Sequence, residues 1–508
     1  MTYLLKIRLT IIAIALSAFS IGEVSFAKDN CCIALVGGTV ISATGQAPLE
    51  NAVVLIRDDK IERIGKASAI KIPSNYKKID VSGKWLTPGL IDTNLHLILT
   101  TVPEFFIKYE DQLEEIALQS AQVALKYGLT TVADTWGPLE PLLAVRNKIN
   151  KGEVVGSRLL VAGNIVGTGG PFTAYFMGGW PAGGKSIRYG GWVHPSIQNR
   201  INALWEAGVG PNMAAMTPKE AADTLRAYIA RGVDMVKIGV SGHGLGAVEP
   251  LVFSDDALKA MREVAREEGV PFTTHTFSVP SLRQALKVEP DLLIHPNVMS
   301  VGWNSASEPQ KEAIREMIDE IRKKNIYAGL MMIPNWEHTS KIMAWDSSKT
   351  PQEYYLNMVM DERRPYASKE NYDKQVAALR VWLDRNVKVT LSTDAGPEAE
   401  DLGPTVWGRL GRFHFERLEG LQSAGMKPME VLMAATKNGA EAYNLSDETG
   451  TLEEGKLADI LVLDANPLVD IANLRKINQI YKAGIKVDRS ILPQNPILKY
   501  DPEAPWPY

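Results

Sequence analysis

The chain has 508 residues, 45% hydrophobic and 22% charged, with a formal net charge of −4 and two cysteines. That balance describes a globular protein with material for a large core and more than one domain. It carries no lysine- or arginine-rich run that would suit nucleic acid. The two cysteines, Cys31 and Cys32, are adjacent. Neighbouring cysteines rarely bond to each other and no distant partner exists, so neither a disulfide framework nor a thiolate metal site is expected.

Residues 1–27 read as a targeting segment. Lys6 and Arg8 form a short basic region, Leu9 to Ile21 is apolar, and Ser25-Phe26-Ala27 fits a small-x-small cleavage site. The apolar run is short for a membrane span. A periplasmic or secreted chain starting near Lys28, free of the membrane after cleavage, is expected; an uncleaved anchor is the alternative. Asp29 and Asn30 do not fit a lipid-attachment pattern ahead of the cysteines.

Residues 33–85 are rich in short β patterns. Ile33 to Val36, Thr39 to Ile41 and Ala52 to Ile56 are strand-like, punctuated by Gly37-Gly38 and Asp58-Asp59. Lys60 to Ile64 alternates as a half-exposed strand does. Pro88 to Leu97 then reads as a short apolar strand behind a Pro-Gly turn. It ends in Asn94 and His96, which share a face because they are two residues apart.

From about Leu86 the rhythm becomes helix, terminator, strand. Tyr127-Gly128, Arg231-Gly232, Glu268-Gly269, Asn325 and Asn386 each precede an apolar run. Glycine or asparagine at that position suits the left-handed residue that ends a helix. Thr217-Pro218-Lys219-Glu220 is a capping box with proline at the first helical position. Leu113, Ile116, Ala117 and Ala124 share one helical face. Repeated helix–strand units imply parallel strands with crossover helices. Eight strands are expected, near 90–96, 130–135, 158–163, 235–240, 272–276, 291–295, 326–332 and 388–394. Eight such units suit a (β/α)8 barrel. A doubly wound open sheet is the rival, but Gly242-His243-Gly244-Leu245-Gly246 matches its glycine-rich nucleotide turn poorly.

Two insertions carry aromatic residues: 163–192, with Phe172, Tyr175, Phe176, Trp180, Tyr189 and Trp192, and 334–372, with Trp336, Trp345, Tyr354 and Tyr355. They follow strands three and seven, which places them at the catalytic face as substrate walls or lids; packing on the barrel rim is the alternative reading. After residue 440 the β character returns, in Gly450 to Asp464. Among seven histidines, His96, His275 and His295 end expected strands; Lys237 lies in strand four and Asp394 ends strand eight. In a barrel all five face one mouth.

The stretch Pro88-Gly89-Leu90-Ile91-Asp92-Thr93-Asn94-Leu95-His96 resembles the first barrel strand of the metal-dependent amidohydrolase superfamily, Pro-Gly-Leu-Ile-Asp-x-His-x-His, with Asn94 in place of the first histidine. Gly450 to Asp464 resembles the superfamily's C-terminal sandwich signature. The resemblance implies a (β/α)8 barrel, 86–440, inserted into a small β-sandwich built from 28–85 and 441–508. It matches Lys237 to a carboxylated lysine bridging two metals, which burial assists by disfavouring the ammonium. It matches His275 and His295 to ligands of one metal, and Asn94, His96 and Asp394 to the other, with Asp394 also the general base. Imidazole and carboxylate-type oxygen suit zinc. His243 and Tyr175 fall where substrate contacts are expected, with His243 also a catalytic candidate beside Asp394, while His194, His338 and His414 match no role.

Because asparagine offers zinc a poorer and shorter ligand, one tight zinc at His275/His295 and a weaker second site are expected. A normal pair of metals completed by water is the alternative. The implied activity is hydrolysis of a C–N amide bond in a small peptide, N-acyl amino acid or cyclic amide. The branch most resembled is that of the prolidase-like and imidazolonepropionase-like enzymes. Ester or lactone cleavage uses the same machinery, and a non-catalytic binding protein on this scaffold is the competing class. The partner is a small molecule or short peptide, with no nucleic acid; a homo-oligomer is compatible with the sequence.

Overall fold

The computed structural model describes residues 32–100, 103–173, 194–241, 251–296, 303, 306–330, 336–337, 340, 368–399 and 409–499. Strand β1 (Cys32–Val40) pairs antiparallel with β2 (Leu49–Arg57), which turns through Asp58 at φ 54° into β3 (Lys60–Lys66). β4 (Lys77–Asp80) and β5 (Trp85–Pro88) lie parallel to β1 on its other side. Bulges at Val36/Gly38 and Gly38/Val40 let β1 serve both. Cys32 is disulfide-bonded. This corrects the expectation that the chain forms no disulfide.

The chain then enters the barrel with β6 (Leu90–Leu95), β7 (Leu129–Asp134), β8 (Arg158–Val161) and β9 (Ile165–Val166). β10 (Val236–Gly239), β11 (Phe272–His275), β12 (Leu292–Ile294), β13 (Tyr327–Gly329) and β14 (Val389–Thr390) follow. All these pairings are parallel, β6-β7-β8 in one run and β9 through β14 in another. β8 and β9 are two pieces of the third barrel strand, so nine segments make eight staves. Main-chain bonds close the ring: Asp234 N to Val161 O at 2.9 Å, Thr93 N to Leu391 O at 2.9 Å and Asp394 N to Asn94 O at 2.8 Å. The staves are buried almost throughout, as parallel strands under crossover helices are.

Helix ends follow local chemistry. Thr217 and Glu220 form the reciprocal capping box of helix Pro218–Ile229, a contribution of about 1 kcal/mol. The five expected terminators, Gly128, Gly232, Gly269, Asn325 and Asn386, all take positive φ, between 54° and 97°. Leu113, Ile116, Ala117 and Ala124 of helix Leu113–Lys126 are buried against the barrel.

After the barrel, β15 (Ile460–Leu463), β16 (Ile477–Lys482) and β17 (Ile485–Lys486) return to the first sheet, β15 pairing antiparallel with β5. The N- and C-terminal segments therefore share one sheet, ordered β17-β16-β15-β5-β1-β2-β3. Its inner face joins Val54, Ile56 and Ile61 to Ile460, Val462 and Tyr481 in one apolar cluster. Because β5 runs straight through Gly89 into β6, this sheet holds the start of the strand that carries Asn94 and His96.

Candidate active site

The five residues expected at the barrel mouth do meet there. Asn94 is the last residue but one of β6 and His96 follows the strand. Lys237 lies inside β10, His275 ends β11, His295 follows β12 and Asp394 follows β14. Asn94, His96, Lys237, His275 and His295 are each no more than 4% exposed. Asp394 is 15% exposed at its side chain.

The carboxylate of Asp394 is the hub. Its Oδ1 lies 2.9 Å from His96 Nε2, 3.1 Å from Asn94 Nδ2 and 3.5 Å from His295 Nε2. No hydrogen bond among the described residues engages its Oδ2. Burial alone would raise the pKa of this group, but His295, His96 and Lys237 together hold it well below the ordinary carboxylate range. Asp394 is an anion at any physiological pH.

Asn94 joins the two halves of the site. Its amide nitrogen faces Asp394 and, at 3.4 Å, His295 Nε2; its Oδ1 accepts from Lys237 Nζ at 3.1 Å and from the Thr135 hydroxyl. Thr135 Oγ1 also accepts from Lys237 at 3.0 Å. The reverse amide orientation would set oxygen against the Asp394 carboxylate and NH2 against the lysine. The donor–acceptor pattern therefore fixes this one. Asn94, expected among the ligands of the second metal, thus turns hydrogen rather than oxygen toward His295 and Asp394. Lys237 is buried, and its pKa falls to about 8 because burial disfavours the ammonium, with Asp394 and Asp134 opposing.

The strand ends are held in unusual backbone conformations. His295 and Asp394 both have φ of 60° without being glycine, a strain of about 1–3 kcal/mol each that the surrounding structure must offset. Part of that offset comes from Asp92, buried beneath the site. Its carboxylate accepts from Thr393 Oγ1 at 2.6 Å, Thr393 N at 3.2 Å and Asn94 N at 3.1 Å. Burial pushes Asp92 up to about 7 despite these bonds. Gly396 is required by close approach: a Cβ there would stand 2.3 Å from Leu99 O. Asp134 accepts from Leu97 N at 2.8 Å and Trp136 N at 3.2 Å, and the Trp136 indole stands edge-on to His96.

Thr135, Asp92, Asp134 and Thr393 carry no ligand signature, so ligand-type reasoning passes over them. Their one sequence signal is position, at or beside the end of a barrel strand. His243 and Tyr175, expected to touch substrate, lie outside the described residues, as do His338 and most of both aromatic insertions. Phe172 is buried against Phe106, with Trp205 behind it, and so belongs to the core rather than to a substrate wall. His194 caps helix Pro195–Glu206. His414 is buried, its Nε2 3.0 Å from Tyr127 O, and burial lowers its pKa to about 3.

Three imidazoles, a carboxylate and a lysine within one buried mouth form a donor set whose chemistry suits a borderline-soft divalent cation. Among the described residues no three His, Cys, Asp or Glu side chains stand at ion-holding spacing.

Residues 85–487 match the sequence model described as the Amidohydrolase family. The Aspergillus niger ochratoxinase is 24% identical over 468 residues, covering 89% of this chain and 85% of that protein. The solved structure of molinate hydrolase is 30% identical, with a TM-score of 0.79, over 93% of this chain and 98% of that one. Phenylurea hydrolase B is 31% identical, again with a TM-score of 0.79, over 93% of this chain and 100% of that one. The match runs through the whole barrel and into both segments of the terminal sheet, so this chain belongs to the Amidohydrolase family and is a hydrolase of that superfamily.

Proposed function

We propose that this protein is a metal-dependent hydrolase of a C–N bond in a small amide, with Asp394 as its general base. The observation that carries the reading is the convergence of His96, Lys237, His275, His295 and Asp394 in one buried mouth, where no hydrogen bond among the described residues engages the second carboxylate oxygen of Asp394. His275, His295 and a carboxylated Lys237 would hold a tight zinc, and His96 and Asp394 a weaker second one. The metal, when bound, supplies Lewis acidity that activates water and polarises the substrate carbonyl. The names of the molinate and phenylurea hydrolases, each at or above 30% identity, support small non-peptide amides beside the dipeptide and N-acyl amino acid classes.

Within this reading the chain's residues divide the work. Asp394 Oδ1 is fixed by His96 and Asn94, so Oδ2 is the oxygen that takes a proton from the attacking water and returns it to the leaving nitrogen. Its low proton affinity keeps it ready as a base. Lys237, neutral more readily than an exposed lysine, takes up carbon dioxide through the free amine. Asn94 and Thr135 aim that nitrogen at the mouth.

Lys237→Ala tests the assignment. It is expected to lose metal and activity together, with partial recovery of both in added short carboxylates, which can supply bridging oxygens. Full metal content in Lys237→Ala would refute it.

A further inference from the structure

Tyr443, in the segment that leaves the barrel, belongs to neither the metal set nor the base. It follows helix Lys437–Ala442 and is buried. It shares one apolar cluster with Ala133 of β7, Leu160 of β8, Met235 just before β10, and Leu292 and Ile294 of β12. Side chains from staves on different sides of a ring meet only inside it, so the Tyr443 ring lies in the barrel's interior. Met235 stands two residues before Lys237 on the same face of its strand, which sets the cluster beneath the site. The Tyr443 hydroxyl donates to Thr93 O at 2.6 Å. Burial raises the phenol's pKa well above its ordinary value, so the proton stays on the tyrosine.

That bond stands in for one the barrel wall lacks. β6 and β14 belong to separate ladders. Thr93 N donates to Leu391 O at 2.9 Å, and a regular parallel ladder would continue with Thr393 N on Thr93 O. Thr393 N instead donates to Asp92 Oδ1 at 3.2 Å, and Tyr443 supplies the donor that Thr93 O needs. The peptide unit joining Thr93 to Asn94 is therefore held at both ends, its oxygen by Tyr443 and its N–H by Asp92 Oδ1 at 3.1 Å. Asn94 in turn donates its side-chain amide to Asp394 Oδ1, accepts from Asp394 N on its main-chain oxygen and accepts from Lys237 Nζ on its Oδ1.

We infer that Tyr443 is a positioning residue for this site: by replacing the missing ladder bond it fixes the backbone of Asn94, and through Asn94 the carboxylate of Asp394 and the nitrogen of Lys237. The segment that follows the barrel thus completes the site from beneath. The inference rests on the reading of Asp394 as base and Lys237 as metal holder.

The test compares full-length wild type with Tyr443→Phe, which keeps the ring in its apolar cluster and removes only the hydroxyl. Amide hydrogen exchange is measured on both proteins without metal. The Asn94 main-chain hydrogen is expected to exchange at least about fivefold faster in the variant, the worth of one hydrogen bond, while those of β11 stay within about twofold of wild type. With cobalt(II) alone as the probe, the d–d absorption of the variant should shift from that of wild type, because His96 and Asp394 no longer hold the wild-type arrangement. A hydroxyl that only stabilises the fold would lower the melting temperature and move neither readout. Unchanged exchange at Asn94 overturns the inference. So does an equal acceleration in every stave, which would mark Tyr443 as barrel packing, and so do cobalt spectra that superimpose. Failure of wild type to bind cobalt would instead overturn the metal-site reading, and the exchange contrast alone would then decide whether Tyr443 positions Asn94.

Discussion

Asn94 donates its side-chain amide to Asp394 across the barrel seam, at 3.1 Å, and so fixes one oxygen of the proposed base with the hydrogen-bonding end of its own side chain. A histidine here would present imidazole nitrogen to a metal; the asparagine presents hydrogen. The proposed consequence is a pair of unequal metal sites. Metal titration of wild type should show tight binding of a single zinc, and Asn94→His should gain a second tight one. Two equally tight metals in wild type would refute this.

Asp92 is predicted to set the position of Asp394. It grips Thr393 by main chain and hydroxyl and holds Asn94 N at the same time. Asp92→Asn keeps the shape but replaces one acceptor oxygen with a donor. Turnover should fall by about 10- to 100-fold with metal content retained. Steady-state kinetics alongside elemental analysis checks this, and wild-type turnover in Asp92→Asn would contradict it.

His414 should make the fold acid-sensitive. It is buried with a pKa lowered to about 3, so the unfolded chain binds its proton more readily. The stability linked to this group is present above the ordinary histidine pKa of about 6.5 and is lost as pH falls toward the folded value. His414→Gln keeps a donor for Tyr127 O without titrating. Relative to that variant, wild type should lose up to about 1.4 kcal/mol per pH unit between pH 6 and pH 4, read from urea unfolding. Parallel pH profiles would contradict it.

We propose export, on the basic, apolar and small-residue order of residues 1–27. Mass spectrometry of the protein from its native cell envelope should find a chain starting at or near Lys28. A full-length chain in the cytoplasm would argue against it.

The barrel was legible because its staves are short apolar runs behind glycine or asparagine terminators, and each terminator took the left-handed conformation its chemistry favours. The ligand-type residues were legible for a related reason: a lysine or histidine at the end of an apolar strand is costly without a purpose. What sequence reasoning could not reach was contact between staves. Nothing local to Asn94 says that Thr135 and Lys237 will claim its oxygen, since those residues lie on β6, the end of β7 and β10 and meet only when the ring closes. The positive φ of His295 and Asp394 was equally hidden, because their residue types tolerate it without requiring it and packing decides. The cysteines misled in the opposite sense: no disulfide was expected, and Cys32 is disulfide-bonded.

The most direct test of the account is elemental analysis of wild-type protein purified without chelators, expressed as metal per chain. The account predicts about one tightly held zinc per chain, lost on Lys237→Ala. Protein that hydrolyses its substrate at full rate with no metal bound would contradict it.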